Sequence, residues 1–122
     1  MKPIQLKKTV IDIPFMDDKG KEALVLHFDQ SDENIKRLYD SFDEIQSIAK
    51  KLEKEESDNF EEIKDFLKKA IDSIFGEGSF DKLYAISPII QIVAVYFAQM
   101  AIGIKEELEQ EDIKSIEKKY LK

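Results

Sequence analysis

FGEGSFDKLYAISPIIQIVAVYFAQMAIGIKEELEQ, residues 75–110, decides how this chain folds. Phe-Gly closes one helical pattern, because a glycine just past the last apolar position accepts the left-handed conformation that ends a helix. Gly78 lets the chain turn. Ser79 can cap a short segment, 80–86, and Ser87 followed by Pro88 reads as a second start, with proline where its missing N–H costs nothing. From 88 to 104 the chain is then apolar on nearly every side of a helical wheel. A helix so patterned is buried on several sides at once, so the other elements must wrap around it.

Outward from this helix, the elements follow from spacing. KTVIDIPF (8–15) and EALVLHF (22–28) alternate apolar and polar residues with the two-residue period of strands, and MDDKGK between them supplies Asp17, Asp18 and Gly20 for a turn. Together, 8–28 read as a β-hairpin with Ile11, Ile13, Phe15, Leu24, Leu26 and Phe28 on the face that packs on helices. A helix over 31–53, capped by Asp29 or Ser31, carries Ile35, Leu38, Tyr39, Phe42, Ile45, Ala49 and Leu52 on one stripe. A helix over 58–75 opens on a capping-box-like Asp58 and Glu61 and carries Phe60, Ile63, Phe66, Leu67, Ala70, Ile71, Ile74 and Phe75. Helices over 80–86 and 88–110 and a charged tail over 111–122, with a possible helical extension to Tyr120, complete one domain. The fold class is mainly α within α+β: a small N-terminal hairpin, then about four helices, the last long and apolar.

Composition excludes several classes of function. The 122 residues carry a formal net charge of −7, which argues against nucleic acid as a partner. There is no cysteine, so neither a disulfide nor a thiolate metal site is available. No signal peptide is legible at the start. The run 88–104 is shorter than the roughly 20 apolar residues a spanning helix needs, and it contains Gln91 and Gln99. His27 is the only histidine and lies on the outer face of a strand, where it reads as a surface imidazole. No serine has a histidine near it in the pattern, so a nucleophilic triad has no support. DDKGKEAL lacks the oxygen ligand at Lys19 and the closing glutamate of a calcium loop. GEGS follows a helix and lacks the lysine of a phosphate loop. The residues offer no active site, no cofactor site and no metal site; the expectation is a protein that is not an enzyme.

What remains is a surface. On the wheel of the last helix, Gln91, Val95, Gln99 and Ile102 form the stripe leading into Glu106 and Glu109, and so the most solvent-facing one, with Tyr96 and Met100 next to it. A small domain buries only about 60% of its unfolded surface, so this stripe is either left over as an interface or taken into the core with the rest of the helix; helix burial alone does not choose. These six residues are the expected partner contacts.

The turn Phe75, Gly76, Gly78, Ser79 and Tyr84, followed by the apolar helix, resembles the tail assembly chaperones of long-tailed phages and prophages of Gram-positive bacteria. The likeness covers most of the chain from Thr9 on: a short β-rich opening, amphipathic helices, the FGEGSFDKLY segment, an apolar helix and a charged end. The resemblance implies a non-enzymatic protein of the bacterial cytoplasm. It would bind and solubilise the helical tape measure protein, help recruit the tail tube protein, and leave before the tail is complete. It also implies oligomers, and a longer form made by ribosomal frameshifting. Two other readings rest on composition alone. A small acidic regulator or inhibitor would act by protein–protein binding through the carboxylates of 32–43 or 53–62, although interspersed lysines break up its sign. A membrane-peripheral protein would use 88–104.

Overall fold

The computed structural model describes residues 1–53 and 60–120, the side chains of 49, 51–53 and 111–120 excepted. An antiparallel hairpin, β1 (Val10–Met16) and β2 (Glu22–Asp29), precedes four helices: α1 (Asp32–Glu53), α2 (Phe60–Phe75), α3 (Ser79–Ile86) and α4 (Ile90–Tyr120). The register pairs Ile11 with Phe28, Ile13 with Leu26 and Phe15 with Leu24, so the apolar residues of both strands share one face, as their alternation predicts. The opposite face pairs Asp12 with His27 and Pro14 with Val25. The turn is built by Asp17, whose carboxylate accepts the N–H groups of Lys19 (2.9 Å) and Lys21 (2.8 Å) while its C=O accepts from Gly20 at 3.1 Å. Gly20 takes φ 78°, which explains why glycine stands there.

Ser31 is the residue that caps α1: its Oγ accepts the Asn34 N–H at 3.3 Å and its C=O accepts from Ile35 at 2.9 Å. The expected cap at Asp58 lies outside the described residues. α2 stops at Gly76, φ 109°, where its apolar stripe ends. The turn into α3 departs from expectation. Gly78, φ 88°, occupies the cap position, Ser79 is already the first helical residue, and no side chain in the turn itself caps it. The N–H of Phe80, left without a partner inside α3, is instead met by Asp72 Oδ1 of α2 at 3.0 Å. Lys68 then bridges Asp72 (3.6 Å) and Asp81 (3.2 Å), and the bond to Asp81 raises its pKa. Lys68 therefore fastens α3 onto α2.

One expectation about α4 is corrected. Ser87 with Pro88 does not open it. Ser87 closes α3, its N–H donating to Leu83 O at 2.9 Å, and α4 begins at Ile90 with Ile89 as its half-helical neighbour. At the other end the helix continues to Tyr120, the extension the sequence allowed, through the charged stretch. Residues 105–120 contain no Gly or Pro and are rich in Glu and Lys, so nothing in them stops a helix.

α4 is the central element. Ile90, Val93, Ala94, Phe97, Met100, Ala101 and Ile104 are buried along one broad side, with α1 packed lengthwise against it. The core joins the hairpin to α2 and α4 through a chain of rings: Phe28 to Phe75 at 6.2 Å and Phe75 to Phe97 at 6.2 Å, the second edge-to-face. One polar side chain crosses this region. Asn34 is 4% exposed and donates to Asp29 O at the end of β2 and to Ile74 O at the end of α2, both at 2.9 Å. It ties three elements together at the point where the chain passes from sheet to helix.

Candidate functional site

Four of the large apolar residues the core leaves exposed, Ile86, Ile89, Val95 and Ile102, lie on α4 or just before it. Val95 is 38% exposed and Ile102 43%, and Gln91 and Gln99 stand exposed beside them. These four sequence-predicted residues therefore share the outward side of the helix. The other two are placed differently. Met100 is 5% exposed; it falls one turn after Tyr96 on the inward edge and belongs to the core. Tyr96 is half-buried, its hydroxyl 3.2 Å from Ser87 Oγ and its ring edge-on to Phe15 at 5.6 Å. It braces the hairpin against the start of α4.

Sequence reasoning missed Ile86 and Ile89, which are 50% and 49% exposed at the α3–α4 turn. A wheel started at Pro88 puts Ile89 on the side of Val93. With the helix starting at Ile90, the direction of Ile89 is set by the turn and not by helical phase.

It also missed a groove of about 410 Å³ between β1 and α4. Every residue from Ile11 to Met16 lines one wall, and Tyr96, Gln99, Met100, Gly103, Ile104 and Glu107 line the other. Gly103 is unusual: a glycine in the middle of a helix costs about 1 kcal/mol relative to alanine. Its φ is not positive, and a Cβ there would meet nothing within 4 Å, so neither conformation nor core packing demands glycine. The missing side chain deepens the groove and does nothing else in the fold. Gly103→Ala is therefore expected to stabilise the protein by about 0.5–1 kcal/mol, read as a higher denaturant midpoint at unchanged slope. A loss of stability would mean that the backbone at 103 is held in a shape only glycine accepts.

The polar side chains of the opposite flank serve the fold. A hollow of about 330 Å³ is bordered by His27, Asp29, Ser31, Asn34, Arg37 and Ser73. There Ser31 caps α1, Asn34 clamps β2 to α2, and Arg37 donates to Glu33 at 2.8 Å. His27 Nδ1 lies 2.8 Å from Asp12 Oδ1 across the strands, and this bond, with a second from Lys8, lowers the Asp12 pKa. A depressed carboxylate pKa favours the folded state above its unfolded pKa and loses that contribution as pH falls; on this open surface the effect is small. Among the described residues no group of three or more His, Asp or Glu is placed to hold a metal ion. Also among the described residues, no helix is long and apolar enough to cross a membrane. Compared with known proteins, the chain matches no family model, no curated protein and no solved structure.

Proposed function

We propose that this chain is a non-enzymatic assembly chaperone of a phage tail, acting in the cytoplasm of the host bacterium. It binds the helical tape measure protein, keeps it soluble, and helps bring the tail tube protein to it. The observation that supports this reading is the outward side of α4, where Val95 and Ile102 stand exposed between Gln91 and Gln99. A partner helix laid along it buries its own apolar stripe, and the glutamines accept a range of polar neighbours without demanding one sequence. The formal charge of −7 keeps the complex dispersed.

Val95→Asp combined with Ile102→Asp tests the reading in co-expression with a tape measure protein. Both positions are more than a third exposed, so the variant is expected to fold. Placing two charges in the interface should cut the yield of soluble tape measure protein by at least about tenfold, since each apolar side chain buried in a complex contributes roughly 1.5–3 kcal/mol. An unchanged soluble yield with a folded double variant would remove α4 from the binding surface.

A further inference from the structure

We infer that the groove between β1 and α4 receives residues 1–9 of a second copy of this chain, so that two copies are joined by exchanged arms. The inference is independent of the chaperone reading; its surface meets the outward stripe of α4 only at Gln99.

The groove has the features of a strand acceptor. β1 is an open edge, because the sheet has two strands and β2 occupies only one side. The Gln30 N–H donates to Thr9 O at 2.7 Å, which places the odd-numbered residues of β1 in bonded pairs with β2. The backbone groups of Val10, Asp12, Pro14 and Met16 then point away from β2. Pro14 sits on this outward set and has no N–H, so β1 offers an incoming strand the donors of Val10, Asp12 and Met16 and the carbonyls of all four. The floor is apolar, from Ile13, Phe15, Met100 and Ile104, and Gly103 lets an incoming backbone approach α4 closely. The charged residues lining it, Asp12 and Glu107, are both acidic.

Residues 1–9 match that surface in pattern and in sign. Ile4 and Leu6 are 80% and 86% exposed, and residues 1–9 are exposed throughout. In an extended chain Lys2, Ile4, Leu6 and Lys8 share one face, an apolar pair flanked by cations. The groove offers an apolar centre with Glu107 on its helix wall; the Asp12 carboxylate is already bonded to Lys8 and His27 of its own chain. The segment holds Lys2, Lys7 and Lys8 and no acidic residue; setting these three lysines aside from the net charge of −7 leaves −10 on residues 10–122. Nine extended residues span roughly 30 Å, enough to follow the roughly 20 Å of β1. The occupant is a second copy for a geometric reason. The groove runs from Ile11 toward Met16, whereas the arm leaves Val10 in the opposite direction and would have to double back to reach its own groove. Laid on a second copy it becomes a third strand, with Ile4 and Leu6 continuing the apolar face of Ile11, Ile13 and Phe15.

The absence of native cysteine makes the test direct. Leu6→Cys protein is mixed with Gly103→Cys protein under mild oxidation, and products are resolved without reductant. The expected result is a disulfide-linked heterodimer that forms faster than either homodimer. In parallel, Ile4→Asp with Leu6→Asp is expected to raise the dimer dissociation constant at least about 100-fold, since two buried apolar side chains are lost, read by sedimentation over a concentration series. Both arm positions are exposed, so this variant keeps its fold, checked by circular dichroism. A chain carrying Leu6→Cys and Gly103→Cys together that closes on itself as a monomer would overturn the exchange in favour of an arm folded back. A wild-type protein that stays monomeric throughout, or a dimer indifferent to the arm substitutions, would overturn it as well and leave the groove to a different partner.

Discussion

Asn34→Asp is expected to lower the melting temperature by roughly 10–20 °C, although it changes a single atom of the side chain. Two effects oppose each other at this position. Asn34 is the third residue after the cap of α1, and a negative charge in the first turn interacts favourably with the helix dipole, by about 0.3–1 kcal/mol. Judged by the local sequence alone, the substitution is mildly stabilising. The tertiary structure reverses that sign. The Asn34 amide nitrogen donates to both Asp29 O and Ile74 O in a site 4% exposed. An aspartate turns one of its oxygens onto two carbonyl oxygens, with no donor between them. A buried charge deprived of partners costs about 3–5 kcal/mol, several times the dipole term. Thermal melts followed by circular dichroism would measure this, and the deficit should shrink around pH 4, where a protonated carboxyl can again donate to one of the carbonyls. The sign follows from linkage: a carboxyl that binds its proton more tightly when folded loses stability as pH rises through its titration range. A variant as stable as wild type at neutral pH would mean that the clamp contributes little.

Phe97→Ala is expected to cost about 3–5 kcal/mol, most of what a domain of this size has to spare. Phe97 is fully buried, and its ring meets Phe75, which meets Phe28, so one side chain of α4 is linked to α2 and β2 together. The cavity left cannot close by a small shift, because the Phe75 ring on its wall is itself held by Phe28 of the hairpin. Val95→Ala, two residues away on the outward side of the same helix, should cost about 1 kcal/mol or less. Denaturant unfolding of the pair measures the difference directly. Similar losses in the two variants would mean that the inward and outward sides of α4 are not distinct.

Much of the candidate site was legible before the structure. Gln91, Val95, Gln99 and Ile102 recur at three- and four-residue steps, and the three-dimensional positions follow that spacing because nothing interrupts the helix between them. Met100 and Ile89 were harder. Met100 lies on a helix apolar nearly all round, where no polar residue marks the end of the inward side, and Ile89 lies in the turn before it, outside helical phase. Which edge is covered depends on where α1 and the hairpin lie. The β1–α4 groove had no signal in either of its walls alone. Gly103 was its one trace, an isolated glycine in a helical pattern, whose purpose appears only when a strand is seen beside it.

The elements themselves were determined by the sequence: the hairpin register by strict alternation, with Asp17 and Gly20 at its turn, and the helix stop by Gly76. Each of these depends on residues within a few positions of one another, where spacing and backbone sterics decide the outcome. Only the tertiary structure decided that Asp72 caps α3 from another helix, that Asn34 clamps β2 to α2, and that α4 keeps Val95 and Ile102 exposed while β1, among the described residues, pairs on one edge. Those features join residues distant along the chain. Their free energy comes from burial and from satisfying backbone groups, which acquire values only once the elements have been brought together.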